Sequence, residues 1–168
     1  GVLRVGGVRS GEANPTELKV FQPDNPVFAL GLAVSHLMTT APFSSLKFGE
    51  WSRVLAGQIN RKHYLFIMQN GKVVGFGGWA CTDRDMAEAW LEGRADDFEN
   101  VADGDSFVIN VWEAATLEVN DFMRAQMRKI CENMEMIYAK RLFEDGSVRP
   151  VRLKVNQFVS GHITAQDL

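Results

Sequence analysis

Cysteine is nearly absent: Cys81 and Cys131 are the only two in 168 residues. They provide neither a disulfide framework nor metal-ligand spacing, which fits a reduced, cytoplasmic setting. No hydrophobic run is long enough to span a membrane. The most apolar stretch, Val27 to Phe43, is interrupted by Ser35, His36, Thr39 and Thr40. It falls short of the roughly 20 residues a bilayer requires and reads as a buried helix. No basic n-region leads into an apolar core at the N-terminus, so no secretory signal is expected. A strong charge of either sign is missing too: the net is −3, which argues against general nucleic-acid binding. That balance hides an asymmetry. Asp83 to Asp105 carries nine acidic residues against Arg84 and Arg94, whereas Asp121 to Val155 carries eight basic against five acidic. Solvated faces explain both most simply, although the basic half also suits an acidic partner.

Familiar catalytic signatures are lacking as well. The chain has no Gly-x-Ser-x-Gly elbow, no Walker loop and no His-Glu-x-x-His. His36, His63 and His162 are too widely spaced to define a metal site. What remains is an ordinary globular composition, 46% hydrophobic and 10% aromatic, at a length that suits one domain. Residues 1–24, rich in Gly, Asn and Pro, read as a loosely ordered arm, leaving 25–168 as the folded domain.

The pattern centres on Asp105 to Ala115, where Val, Ile, Phe and Trp dominate as in a strand. Alternation places Val108, Asn110 and Trp112 on one face and Phe107, Ile109 and Val111 on the other. Both faces are apolar, as in a central strand covered on both sides. Asn110 is then a buried amide that needs a hydrogen-bond partner, because an unpaired one costs about 1–3 kcal/mol. It is either a structural amide or a site residue on a rigid element.

Other elements follow from local signals. Asn25-Pro26 caps and starts a helix over 27–38 that is apolar nearly all round, hence mostly buried, and ends before Pro42. A second helix runs from about 48 to 60 on the spacing of Trp51, Val54, Leu55 and Ile59. Asn70-Gly71 between apolar runs predicts a β-hairpin. Gly75, Gly77 and Gly78 within its second strand indicate either close ligand approach or tight packing. An acidic helix over 83–93, the central strand, a helix capped by Thr116, and strands over 136–143 and 150–155 complete the chain. In the helix after Thr116, Val119, Met123, Met127, Ile130 and Met134 form a core stripe.

Two helices, a hairpin, then strand, helix and strand follow the element order of the GNAT acyltransferases. The expected fold is a single α/β domain with a mixed central sheet flanked by helices. Four blocks carry a closer likeness: Leu30–Phe43, Val74-Gly-Phe-Gly-Gly-Trp-Ala80, Gly104–Ala114 and Arg152–Ile163. In this order they resemble the RTX toxin-activating lysine acyltransferases, the family of the haemolysin-activating protein. The resemblance implies a cytoplasmic transferase that moves a fatty acyl group from acyl carrier protein to an amine, a protoxin lysine in that family. It implies no bound cofactor, acyl-carrier thioester as donor substrate, and a carrier protein and an acceptor protein or amine as partners. A homodimer is compatible with it; nucleic acid and a membrane span are not expected. The strand-to-helix turn Glu113-Ala-Ala-Thr-Leu117 has no glycine to cradle a CoA pyrophosphate, in keeping with a carrier-protein donor. Arg124, Arg128 and Lys129, with Lys140 and Arg141, are the candidate carrier-binding residues. Trp112, Trp79 and Arg152, in the matched blocks, are assigned to substrate binding.

At two positions the sequence departs from the family. Its catalytic His aligns with Ser44 and its catalytic Asp with Asn110. Lysine must lose a proton before attacking a thioester, so a base is required, and serine alone is not one. Asn110 can orient a group or bind an oxyanion but carries no charge. Three explanations stand. His36, eight residues before Ser44, is the base if the helix persists; or an acceptor arrives already neutral; or the fold is a non-catalytic module that binds acyl chains or carrier protein. The first is adopted, with His36 as base, Asn110 orienting the base or acceptor, and Ser44 lining the acceptor side.

Overall fold

The structure, a computed structural model, describes residues 16–142, 145 and 147–155. In chain order it contains β1 (Lys19–Phe21), α1 (Pro26–Leu37), a 3-10 turn (Phe43–Ser45), α2 (Phe48–Arg61), β2 (Tyr64–Gln69), β3 (Lys72–Thr82), α3 (Arg84–Leu91), β4 (Ser106–Ala114), α4 (Leu117–Ile130), β5 (Met136–Leu142) and β6 (Val148–Lys154). The strands form one mixed sheet in the order β1-β2-β3-β4-β5-β6. β1–β2, β2–β3 and β5–β6 are antiparallel, and β4–β5 is parallel. This is the expected fold class. The chain divides into two compact units, Gly1–Gly78 with Trp112–Met123 and Trp79–Val111 with Arg124–Leu168.

In the first unit the Asn25 side chain accepts from the amides of Val27 and Phe28, which starts α1 as the Asn-Pro pair predicts. Helix α1 nevertheless buries only Ala29, Ala33 and Leu37. Spaced four apart, these three form a narrow stripe, and Val27, Phe28 and Met38 remain exposed. The expectation of a mostly buried helix is thus corrected. The hairpin forms at Asn70-Gly71 with positive φ at both residues, 54° and 73°. Tyr64, Phe66 and Phe76 pack together at ring separations of 5.0–6.2 Å. β1 was not foreseen: Lys19–Phe21, placed in the expected arm, pairs with Phe66–Met68. Tight packing accounts for two of the strand glycines. A Cβ on Gly75 would stand 2.9 Å from both Met123 Sδ and Val119 Cγ1, and one on Gly78 would stand 2.1 Å from the Gln58 amide oxygen.

In the second unit Ala87, Leu91, Val108 and Tyr138 form a core against which Trp90, Phe98 and Met136 pack. The Asp83 carboxylate accepts from the Met86 amide and caps α3. β6 buries Val151 and Leu153 between exposed neighbours, and Val155 just beyond its end is buried as well, as expected. Pro150 lies inside this strand rather than at its start, which is tolerable because β6 ends the sheet. On α4, Val119, Met123 and Met127 are buried as predicted; Ile130 is exposed and Cys131 takes the next core position.

Candidate active site

Two segments of the chain each contain a single titratable residue, and both of those residues belong to the first unit. Between Asp24 and Lys47 the only one is His36, and between Asp105 and Glu118 the only one is Glu113. The fold brings them together. His36 Nε2 is in direct contact with Glu113 Oε2, so α1 is tied to the end of β4. The side chains are 15% and 14% exposed, enough for access yet shielded compared with a surface ion pair. With Nε2–H donated to the carboxylate, Nδ1 carries the imidazole lone pair. A carboxylate-oriented imidazole is a proton acceptor of fixed tautomer.

Adjacent residues of β4 point to opposite sides. Glu113 meets α1, whereas the Trp112 indole N–H donates to Asn120 Oδ1 of α4 at 2.8 Å. The turn that follows is pinned: the Ala115 amide donates to Val74 O at 2.9 Å. Thr116 Oγ1 accepts from the Val119 amide at 3.1 Å, the predicted cap of α4.

The residues singled out from sequence fare differently. His36 acquires its carboxylate, but from Glu113, which the sequence reading passed over. A lone acid inside an apolar strand was the available signal. Ser44 is exposed in the 3-10 turn, its amide donating to Thr40 O at 2.9 Å. Because α1 ends at Leu37, the eight residues from His36 to Ser44 are not two helical turns. The helical reasoning that set one above the other therefore fails. Asn110, in the second unit, is half-buried rather than sealed in the core. The parallel register of β4 with β5 runs from Ser106 to Ile109 and stops one residue before it.

Trp79 is buried and stacks on Phe107 at 5.6 Å. Arg152 Nε reaches both Glu88 oxygens, at 2.8 and 3.0 Å, and its Nη2 lies 3.5 Å from Glu92. The Arg152 hydrogen bond, ahead of smaller influences, holds the Glu88 carboxyl below the usual carboxylate range. Of the proposed carrier contacts, Arg124 is only 6% exposed and presents no docking surface, whereas Arg128 is half-buried and Lys129 exposed. The Arg152–Ile163 block lies outside the described residues beyond Val155, as does His162. Among the described residues no group of His, Cys, Asp and Glu could hold a metal ion, and no helix is long and apolar enough to cross a membrane.

No family model and no curated protein matches the sequence. Solved structures do match. The loading GNATL domain of CurA from Lyngbya majuscula superposes with a TM-score of 0.57 at 10% identity, covering 77% of this chain and 67% of that one. The GphF GNAT-like decarboxylase in complex with isobutyryl-CoA gives 0.55 at 10% identity, covering 76% and 67%. A Drosophila melanogaster polyamine N-acetyltransferase, which catalyses formation of N-acetylagmatine, gives 0.52 at 10% identity, covering 76% and 77%. At such identity the likeness is one of architecture: the chain has a GNAT-like fold.

Proposed function

We propose that this chain is an N-acyltransferase that moves a fatty acyl group from acyl carrier protein to an amine, a protein lysine by the resemblance to toxin-activating acyltransferases. The carrying observation is the contact between His36 and Glu113. Those acyltransferases place a histidine on the segment after the first helix and a carboxylate on the central strand. Here those positions are Ser44 and Asn110, while α1 and β4 supply a histidine and a carboxylate at other positions. The GNAT-like architecture supports the same reaction class.

In this reaction His36 Nδ1 takes the proton from the acceptor ammonium, and Glu113 stabilises the imidazolium formed. The neutral amine attacks the thioester carbonyl, the new N–C bond forms, and the C–S bond breaks. The carrier thiolate leaves and takes up the proton that the attacking nitrogen releases as the amide forms. Ser44 lines the acceptor side. The capped, glycine-free start of α4 favours a carrier-protein donor over CoA, whose pyrophosphate would need that helix terminus. Arg128 and Lys129 face the acidic carrier.

Incubation with labelled acyl carrier protein and a lysine peptide tests the reading. Loss of thioester with appearance of amide, and much slower transfer from acyl-CoA, is expected. A tight complex without turnover would instead identify a non-catalytic carrier-binding module.

A further inference from the structure

Glu113 lies four residues beyond Ile109, where the β4–β5 register ends, so its position depends on other restraints. Three sit on its immediate neighbours. Ala115 is bonded to Val74 of β3. Thr116 caps α4. Trp112, the residue directly before Glu113, is bonded through its indole N–H to Asn120 Oδ1. The missing side chain at Gly75 lets Val119 and Met123 of α4 close on β3; a Cβ there would also stand 3.3 Å from the Glu113 carbonyl oxygen. The end of β4 is therefore paired with β3 through its backbone, and its side chains are held on one face by α4 through Trp112 and on the other by α1 through Glu113. Because Trp112 and Glu113 point to opposite faces, an anchor on the Trp112 side opposes any tilt of the strand end that would carry Glu113 away from α1.

We infer that Asn120 is a positioning residue: by fixing the Trp112 indole it holds Glu113 against His36 and so sets the tautomer of the imidazole. The bond between Trp112 and Asn120 is itself only half-buried. An indole N–H left without a partner would cost stability whatever its neighbours do, so loss of stability alone does not test the inference. Asn120 touches neither His36 nor the reacting atoms in this scheme; it acts through one intervening residue. For its effect on catalysis the inference rests on the acyl-transfer reading; for its effect on the histidine ring it does not.

The test uses the full chain and two readouts. Imidazole nitrogen NMR of His36, identified by its disappearance in H36A, reports the tautomer without any acyl donor. In the wild type the ring is expected as the Nε2–H form. N120L, which removes the acceptor, and W112F, which removes the donor, shift the ring toward mixed tautomers, while N120D, which still accepts the indole proton, restores the wild-type spectrum. With an active transferase, N120L lowers kcat about tenfold and leaves KM unchanged. If N120L fails to fold, W112F addresses the same bond from the strand side. His36 nitrogen shifts unchanged in N120L or W112F overturn the inference, even where activity falls. Shifts altered as described uphold it, even where no acyl transfer is found.

Discussion

Two ion pairs of this molecule contrast usefully. Arg152 with Glu88 and Glu92 joins β6 to α3 on an open surface, its side chains 42%, 27% and 45% exposed. His36 with Glu113 joins α1 to β4 in segments that carry no other charge, with both side chains near 15% exposed. The first shares the Arg152 Nε–H between both Glu88 oxygens, adds Glu92 as a second carboxylate, and works as a clasp. The second sets one imidazole against one carboxylate. Arrangement of charge, more than its amount, separates a fastening from a candidate site.

Substitutions at each pair break that comparison most sharply. H36A is expected to lower acyl transfer by about 10²–10⁴-fold, the usual contribution of a general base, with the fold intact by circular dichroism. E113Q lowers it in the same direction by no more than H36A. The double variant is no worse than H36A alone, because the two residues act as one unit.

A smaller effect tests the packing beneath the pair. Gly75→Ala places a methyl 2.9 Å from Met123 Sδ and Val119 Cγ1. Overpacking of this kind costs about 1–3 kcal/mol, measurable by urea unfolding. Arg152→Ala is expected to cost under about 1 kcal/mol, as exposed pairs do, and to leave transfer unchanged if the clasp is only a clasp.

The clasp also has a pH signature. Glu88 is held below its ordinary value of 4.5, chiefly by the Arg152 hydrogen bond. Its contribution is complete above that value and is lost as pH falls through the lower folded one. Acid unfolding of the wild type and R152A should therefore converge below that window. His63 adds a weaker trend. Burial, then the Arg61 charge, lowers its value below 6.5, so stability falls as pH drops below 6.5 toward that folded value. H63Q should flatten this slope in thermal unfolding.

Much of the fold was legible in local chemistry. Asn25-Pro26, Asn70-Gly71 and Thr116 each announced an element boundary through a specific backbone requirement, and each stands where expected. β1 was not legible, because Lys19–Phe21 is three residues held by pairing to Phe66–Met68, a partner remote in sequence. The exposed side of α1 was hidden for a related reason: hydrophobicity all round says nothing about which stripe finds a neighbour. Half of the candidate site was readable. His36 stood out as a histidine in an apolar helix, but its partner depended on which strand face meets α1. Glu113 has the parity opposite to Asn110 and so lies on the other face of the strand.

The most direct test is single-turnover transfer from labelled acyl carrier protein, comparing the wild type with H36A. Conversion of thioester to amide by the wild type, lost by at least two orders of magnitude in a folded H36A, is the predicted result. Full transfer by H36A would remove the histidine–glutamate pair from catalysis.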